Sequence, residues 1–205
     1  MPVKTKEVLK KGDATRLAIE DAAVELFLKQ GYHATSMRQI ADQAGLALGG
    51  IYNHFKGKEE IFEGIIVDKH PYKRILPLIL DAQGKTVEDF LRNAALISLE
   101  ELKKTPYFMN LMFIELVEFH GRHGKLIVLE VGPRVLPIFE KLVRSRKEMR
   151  VKNPAMLARS FFGLIVSYMI TDLVLGDTPL RKLLPSNPAD AYVDIYLHGV
   201  LKESA

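Results

Sequence analysis

The fold of this 205-residue chain is decided by residues 35–58, which read TSMRQIADQAGLALGGIYNHFKGK. Ile40 falls on the inner face of a short predicted helix, and Gly45 follows with the freedom to take the positive φ of a tight turn. A second short helix then places Ile51 and Phe55, four residues apart, on its inner side. Two short helices joined by a glycine turn form a helix-turn-helix, which places its second helix in the major groove of DNA.

The same stretch carries an ordered set of residues that resembles one family. The set is Ile40-Ala41, Ala44-Gly45, Gly49, Ile51-Tyr52, His54-Phe55 and Lys58. Behind an amphipathic first helix, this order is similar to the TetR family of bacterial transcriptional regulators. The resemblance implies a DNA-binding domain with a basic N-terminal arm at residues 1–57, and a helical ligand-binding and dimerisation domain at residues 58–205.

Composition favours a globular protein of the cytoplasm. The chain is 48% hydrophobic and 26% charged, so a sizeable core is expected. It has no cysteine, which excludes disulfides and thiolate metal sites. The N-terminal residues do not read as a signal peptide. The longest uncharged apolar run, residues 160–171, is shorter than the roughly 20 residues that span a bilayer and predicts a buried helix.

Charge is segregated along the DNA-binding part of the chain. The formal net charge of the whole chain is +4, whereas residues 1–64 balance to zero. Basic residues gather in the arm at residues 1–12 and between Thr35 and Lys58, with acidic residues on either side. A basic edge of this kind still meets phosphates, and we expect its binding to depend less on salt than that of a strongly basic domain.

Helix signals recur along the whole chain, and we expect an all-α fold of about nine helices. Their predicted starts are Asp13, Thr35 or Ser36, Ala47, Lys58, Thr86, Thr105, a point near Gly124, Asn153 and Asn187. The first helix is expected to end near Gly31 and the fourth near His70. Residues 124–152 read as helical, but Gly132, Pro133 and Pro137 predict a kink or break there.

The resemblance also implies which residues contact DNA phosphates. They are Thr35 and Ser36 at the start of the second helix, then Tyr52 and His54, then Lys58. A helix N-terminus offers free N–H groups to a phosphate, and such contacts fix position without reading sequence. Lys56 is either one more phosphate contact or a solvated loop lysine.

The recognition helix itself has little with which to read bases. Its exposed positions, Ala47, Leu48 and Gly50, carry no polar side chain, and Ala47 stands where the family often has a capping Ser or Thr. Arg38 is the side chain suited to a bidentate contact with guanine, helped by Asn53, with a phosphate contact as the alternative for Arg38. Ala47 and Leu48 are left to contact thymine methyl groups.

Two apolar helices near the C-terminus predict a dimer. The helix at residues 154–175 is apolar nearly all round and therefore needs cover on more than one side. The resemblance implies a homodimer in which the last two helices of each subunit pack together. The expected interface residues are Phe161, Ile165, Tyr192, Ile195, Tyr196, Gly199 and Val200.

A pocket for a small apolar or amphipathic effector is likewise implied by the resemblance. Aromatic and methionine side chains suit such a site, although the same stripes also suit a core. The candidates are Phe108, Met109, Met112, Phe113, Phe162, Tyr168 and Met169. No cofactor and no metal is expected.

Two other classes of protein were weighed. An enzyme is disfavoured because the chain has no Gly-rich phosphate loop after a strand, no Gly-x-Ser-x-Gly and no His-Glu-x-x-His. A helical adaptor would use the basic segment 141–152, which also fits a solvated helix end. The sequence favours a ligand-released repressor that binds a palindromic operator as a dimer, over an activator.

Overall fold

The computed structural model describes residues 11–200 apart from residues 83, 146, 148 and 186, and this part of the chain is all-α. Its ten α-helices are α1 Lys11–Gln30, α2 Met37–Gln43, α3 Leu48–Ile51, α4 Lys58–Asp68, α5 Tyr72–Leu80, α6 Val87–Lys103, α7 Tyr107–Glu118, α8 Gly124–Arg144, α9 Pro154–Leu175 and α10 Pro188–Val200. A 3₁₀-helix spans Pro179–Leu183. The predicted fold class is confirmed. Residues 1–10 of the predicted basic arm lie outside the described residues.

One compact unit contains α1 to α4. The described residues up to His70 cluster with residues 110–127, which form most of α7 and the start of α8. The buried apolar side chains of this unit include Ile19, Ala23, Phe27, Ile40, Ile51, Phe55, Ile61, Phe62, Ile65 and Ile66. Four of them line one face of α4, and this helix packs with α1. A domain boundary after residue 57 stays a prediction.

Local signals explain the helix ends in this unit. The Gln39 N–H donates to Ser36 Oγ at 3.2 Å, and the Ser36 N–H donates to Gln39 Oε1 at 2.8 Å. This reciprocal capping box makes Ser36, rather than Thr35, the N-cap of α2. Gly31 and Gly45 have φ of 85° and 69°, which is the left-handed conformation expected of them after α1 and in the helix-turn-helix turn.

The second unit comprises the described residues of 71–109 and 128–200 and is organised around α6. Helix α6 contacts α5, α9 and α10, and starts at a capping box formed by Thr86 and Asp89. The core of this second unit includes Phe90, Leu91, Ala95, Leu99, Leu164, Ile165, Tyr168, Val193 and Leu197. The side chain of Asn153 accepts hydrogen bonds from the Ala155 and Met156 N–H groups and so caps α9 as predicted.

The sequence prediction differs from the structure at two elements that contain internal prolines. Helix α5 was not predicted, although it has a buried face of Tyr72, Leu76 and Ile79 around the internal Pro77. Helix α8 runs without interruption through Pro133 and Pro137, so the expected break does not occur. A proline removes one N–H donor from a helix, and in both helices the turns on either side continue around it.

Helix α9 corrects a further expectation, that its uncharged run would be buried. Leu164, Ile165 and Tyr168 enter the core of the second unit, whereas Phe162 is 66% exposed in the single chain. Leu173 and Val174 near the end of the helix are also exposed. Among the described residues, Pro154–Leu175 is the one helix whose length and apolar composition would suffice to cross a membrane, a property it shares with core helices of soluble proteins.

Candidate nucleic-acid interface

The recognition helix α3 is a single turn without a side-chain cap. It spans Leu48–Ile51, and its N-cap residue Ala47 makes no capping hydrogen bond. Ile51 is buried and anchors the turn, while Leu48 on the outside is 40% exposed. A Cβ added at Gly50 would meet nothing within 4 Å, so the backbone of this helix is open to close approach.

Four polar side chains surround this turn and are available to a ligand. Arg38 on α2 is exposed, as are Tyr52 and Asn53 just after α3, and His54 is half-buried. Within the part of the chain that the structure describes, none of the four makes a side-chain hydrogen bond or ion pair. Guanidinium, phenol, amide and imidazole groups that are presented beside an uncapped helix can donate to phosphates and base edges.

Thr35 and Ser36 are already engaged in holding their own backbone. Thr35 is 2% exposed, and its hydroxyl donates to the Gly31 carbonyl at 2.8 Å. The Thr35 hydroxyl therefore helps to close the loop between α1 and α2, and the phosphate contact of Thr35 stays a prediction. Ser36 is exposed but uses its Oγ in the capping box of α2.

Lys58 contacts the loop that precedes α2, and its phosphate contact stays a prediction. Its Nζ donates to the Tyr32 carbonyl at 2.5 Å and to the Thr35 carbonyl at 2.7 Å, and it lies 4.3 Å from the centre of the Tyr32 ring. Burial lowers the pKa of this ammonium group, and the charge of Glu118 opposes the shift. Lys58 thus fastens the first residue of α4 to the loop that precedes α2.

A cluster behind that loop was missed from the sequence. The Tyr32 ring lies edge-on to Phe119 at 5.0 Å, and Phe119 stacks on Phe62 at 4.7 Å. His33 Nε2 lies 2.5 Å from Glu118 Oε2 on the other side of the loop. Burial, together with the nearby carboxylates, raises the pKa of Tyr32 to about 12, so its phenol stays neutral. Tyr32 and His33 are more than 80 residues from Phe119 and Glu118 in sequence, and no short-range pattern connects them.

A buried polar pair lies next to this cluster. Glu115 and His123 are both buried, with Glu115 Oε2 at 2.7 Å from His123 Nδ1. Glu115 Oε1 also accepts from the His123 N–H at 2.7 Å and from the Gly124 N–H at 3.2 Å. The carboxylate therefore caps the start of α8 from α7. No group of residues suited to a metal ion occurs in the described part of the chain.

The predicted dimer residues fall into two sets in the second unit. Ile165 and Val200 are buried in the core, and Phe161, Tyr192 and Tyr196 pack against it. Ile195 is 72% exposed, and Gly199 is exposed with nothing within 4 Å of a Cβ added to it. An uncovered apolar face thus exists on α9 and α10, but it contains only part of the predicted set.

The predicted ligand residues differ among themselves in burial. Phe108 and Tyr168 are buried, Met169 packs against the core, and Phe113 and Phe162 are exposed. Met109 and Met112 are half-buried. The second unit also contains a cavity of about 400 Å³ between α5 and Arg134 of α8, and none of the seven predicted residues lines it.

Comparison with known proteins agrees with this geometry. A sequence model described as bacterial regulatory proteins, tetR family, matches residues 19–65, which contain the helix-turn-helix. An uncharacterized HTH-type transcriptional regulator of Bacillus subtilis, YvkB, is 27% identical over 180 residues, or 85% of this chain and 94% of that protein. These relatives are regulators of transcription, not enzymes.

Solved structures share the fold along most of the chain. The structure of NalD, the secondary repressor of the MexAB-OprM multidrug efflux pump in Pseudomonas aeruginosa, aligns with a TM-score of 0.68 at 20% identity, covering 95% of this chain and 100% of that one. A complex of SmeT with triclosan aligns with a TM-score of 0.64 at 19% identity, covering 93% of each chain. At these identities the likeness concerns the fold.

Proposed function

Because the chain belongs to the TetR family of bacterial regulatory proteins, we propose that it is a cytoplasmic repressor which binds a palindromic operator as a homodimer and leaves it on binding a small molecule. The observation that carries the proposal is the uncapped single turn of α3, with the exposed and uncommitted Arg38, Tyr52 and Asn53 around it.

Base reading is assigned to Arg38. The guanidinium group matches the paired acceptors of guanine, while Ala47, Leu48 and Gly50 offer only apolar contact and close backbone approach. We therefore expect half-sites that are rich in A·T pairs and contain one strongly preferred G·C pair. Tyr52, Asn53 and His54 are assigned to phosphates and neighbouring base edges, and Ser36 acts by holding the N-terminus of α2 in place.

Dimerisation is supported by the uncovered apolar face of α9 and α10. Phe162 and Ile195 are large apolar side chains that the single chain leaves exposed, and Gly163 and Gly199 leave room for close helix approach. A two-fold dimer would present two copies of α3 to a two-fold operator. Residues 1–57 would then read DNA, and residues 58–205 would dimerise and bind the effector.

Release by a small molecule is inferred from the TetR resemblance. It is supported by the fold that the chain shares with the SmeT–triclosan complex. The contact of Lys58 with Tyr32 and Thr35 offers a route, because a shift of α4 would pull on the loop before α2. A ligand site lined by the seven residues named in the sequence analysis, Phe108, Met109, Met112, Phe113, Phe162, Tyr168 and Met169, stays a prediction.

Selection of bound sequences from a random library tests this function. We expect an enriched palindrome, and we expect Arg38→Ala to relax one G·C position in each half-site while the other positions keep their preference. Lys29→Ala serves as a control, since Lys29 is an exposed cation on α1. Enrichment without two-fold symmetry, or an unchanged preference in Arg38→Ala, would contradict the proposal.

A further inference from the structure

A cavity in the second unit combines an apolar wall with two cations. It is open to solvent on one side, has a volume of about 400 Å³ and is lined by Tyr72, Lys73, Leu76, Pro77, Leu80, Asp81 and Arg134. The first five of these residues follow one another at helical spacing, so they form one side of α5. The sequence interpretation used none of them, because α5 was not predicted as a helix.

The charges around the cavity favour an anion. Lys73 and Arg134 contribute two positive charges against one negative charge from Asp81, so the lining has a net charge of +1. The partner of Arg134 is Glu130, four residues earlier on α8, at 3.6 Å. An i,i+4 pair between half-exposed side chains is worth only a few tenths of a kcal/mol. The guanidinium can therefore turn to a bound acid group.

The apolar lining and the volume limit the rest of the ligand. Leu76, Pro77 and Leu80 present aliphatic surface, and Leu76 is itself buried in the unit. Pockets of this size are typical of small-molecule sites. One water molecule, which has a single non-hydrogen atom, occupies about 30 Å³ in the liquid. On this measure the cavity accepts on the order of a dozen non-hydrogen atoms.

We propose that this α5–α8 cavity is the effector site and that it takes a medium-chain amphipathic anion, whose acid group pairs with Arg134 and Lys73 while its chain lies along Leu76, Pro77 and Leu80. The inference rests on the proposed function, since it names the effector class of the proposed repressor. It also moves the effector site away from the residues that the sequence suggested.

Calorimetric titration of the full chain with three probes of equal chain length tests the class of ligand. Decanoate, 1-decanol and decylamine, each below micelle formation, differ chiefly in the charge of the head group. We expect decanoate to bind at least about tenfold more tightly than the other two. Equal affinities, tighter binding of decylamine, or no binding of decanoate would overturn the inference.

Substitutions test where the acid group of the ligand binds. Arg134→Gln should weaken decanoate binding about tenfold, and Arg134→Glu should reverse the preference towards decylamine. Arg144→Gln is the matched control, because Arg144 lies on the same helix and pairs with Glu140 at 3.7 Å with the same spacing. Asp81→Asn should tighten decanoate binding by about two- to threefold, which a merely structural role for Asp81 would not produce. Unchanged affinity in Arg134→Gln overturns the site.

Two further experiments distinguish a free ligand from a membrane lipid, and failure of this inference from failure of the proposed function. Vesicles of anionic phospholipid present the same chemistry on a membrane, and binding to vesicles in place of free decanoate overturns the proposal of a soluble effector. Operator binding is measured separately on the unliganded protein. If operator binding is intact but decanoate does not bind, only this inference fails. If decanoate binds with the expected variant effects but does not release DNA, the site stands and ligand release fails.

Discussion

At the scale of single residues, Glu20 is the least expected group in the DNA-binding unit. It is 0% exposed on α1, and neither carboxylate oxygen has a hydrogen-bond partner. Arg16 Nε lies 3.3 Å from the carboxylate and Lys69 Nζ lies 4.0 Å away, while a Cβ on Gly64 would come within 2.9 Å of it. Burial, followed by repulsion from Asp68, raises the pKa of Glu20 to about 7.

This pKa predicts that the protein loses stability as the pH rises. The pKa of Glu20 is about 7 in the folded chain against an ordinary value of 4.5, so folding favours the protonated acid. The stabilisation is complete below about pH 4.5 and is lost as the pH passes through about 7. Between pH 5 and 8 we expect the free energy of unfolding to fall by up to about 3 kcal/mol from this group.

Chemical denaturation at several pH values measures the effect of Glu20. Glu20→Gln keeps the shape but cannot ionise, so its unfolding free energy should change much less across this range. Asp42→Asn is the control, because Asp42 is an exposed acid in the same unit. A pH dependence that is the same in Glu20→Gln and in the unchanged protein would show that burial does not control this carboxyl.

A second residue-scale prediction compares Lys58 with Tyr52. The sequence assigned both residues to phosphate contacts, whereas in the structure Lys58 binds the loop before α2 and Tyr52 is exposed. Lys58→Ala removes two charge-assisted hydrogen bonds to the Tyr32 and Thr35 carbonyls and should cost about 1–3 kcal/mol of stability. Tyr52→Phe removes an exposed hydroxyl and should leave stability within about 0.5 kcal/mol. Thermal unfolding compares the two variants.

The same two variants differ in how they affect DNA binding. Tyr52→Phe should weaken binding to operator and to random DNA by the same factor, because phosphates carry no sequence information. In Lys58→Ala, weakened binding should accompany the loss of stability, because the loop before α2 is no longer held. Full stability in Lys58→Ala would show that the carbonyl contacts do not fasten α4.

At the scale of elements, the short-range signals identify most helices, and long-range contacts decide the rest. The cap of α2, the glycine ends of α1 and α2, and the Asn153 cap of α9 all follow from neighbouring residues. Helix α5 was not predicted from the sequence, and a helix tolerates an internal proline such as Pro77 when packing holds its other turns. The roles of Thr35 and Lys58 depend on which carbonyls the folded loop presents, and spacing alone does not give them.

Capping of α2 and α3 gives a matched pair of element-scale predictions. Ser36→Ala removes the capping box of α2 and should destabilise the protein by about 1 kcal/mol. Ala47→Ser supplies the side-chain cap that α3 lacks and should stabilise it by up to about 1 kcal/mol. Both changes are read by thermal unfolding. Equal and opposite small shifts are expected, and a destabilising Ala47→Ser would mean that the N-terminus of α3 is not open to a cap.

At the scale of the whole molecule, the single chain leaves apolar surface that a second copy would cover. Buried members of the predicted interface, such as Ile165, are poor probes, because a charge placed there would unfold the subunit itself. Ile195 is suited to the purpose, since it is 72% exposed and lies outside the core of the second unit. Specific dimers bury about 1,200–2,000 Å² in total, and a few central apolar side chains contribute most of the free energy.

Ile195→Asp should therefore dissociate the proposed dimer and leave the subunit folded. A charge without a partner in a desolvated interface is strongly unfavourable, whereas on an exposed position of the monomer it is tolerated. We expect sedimentation to show monomers at micromolar concentration, with an unchanged helical circular dichroism signal and at least tenfold weaker operator binding. Val117→Asp is the control, because Val117 is 70% exposed on α7, away from α9 and α10 in sequence. A stable dimer in Ile195→Asp, or dissociation in Val117→Asp, would place the subunit contact on another face, and the spacing of the two reading heads on the operator would then have to follow from that face.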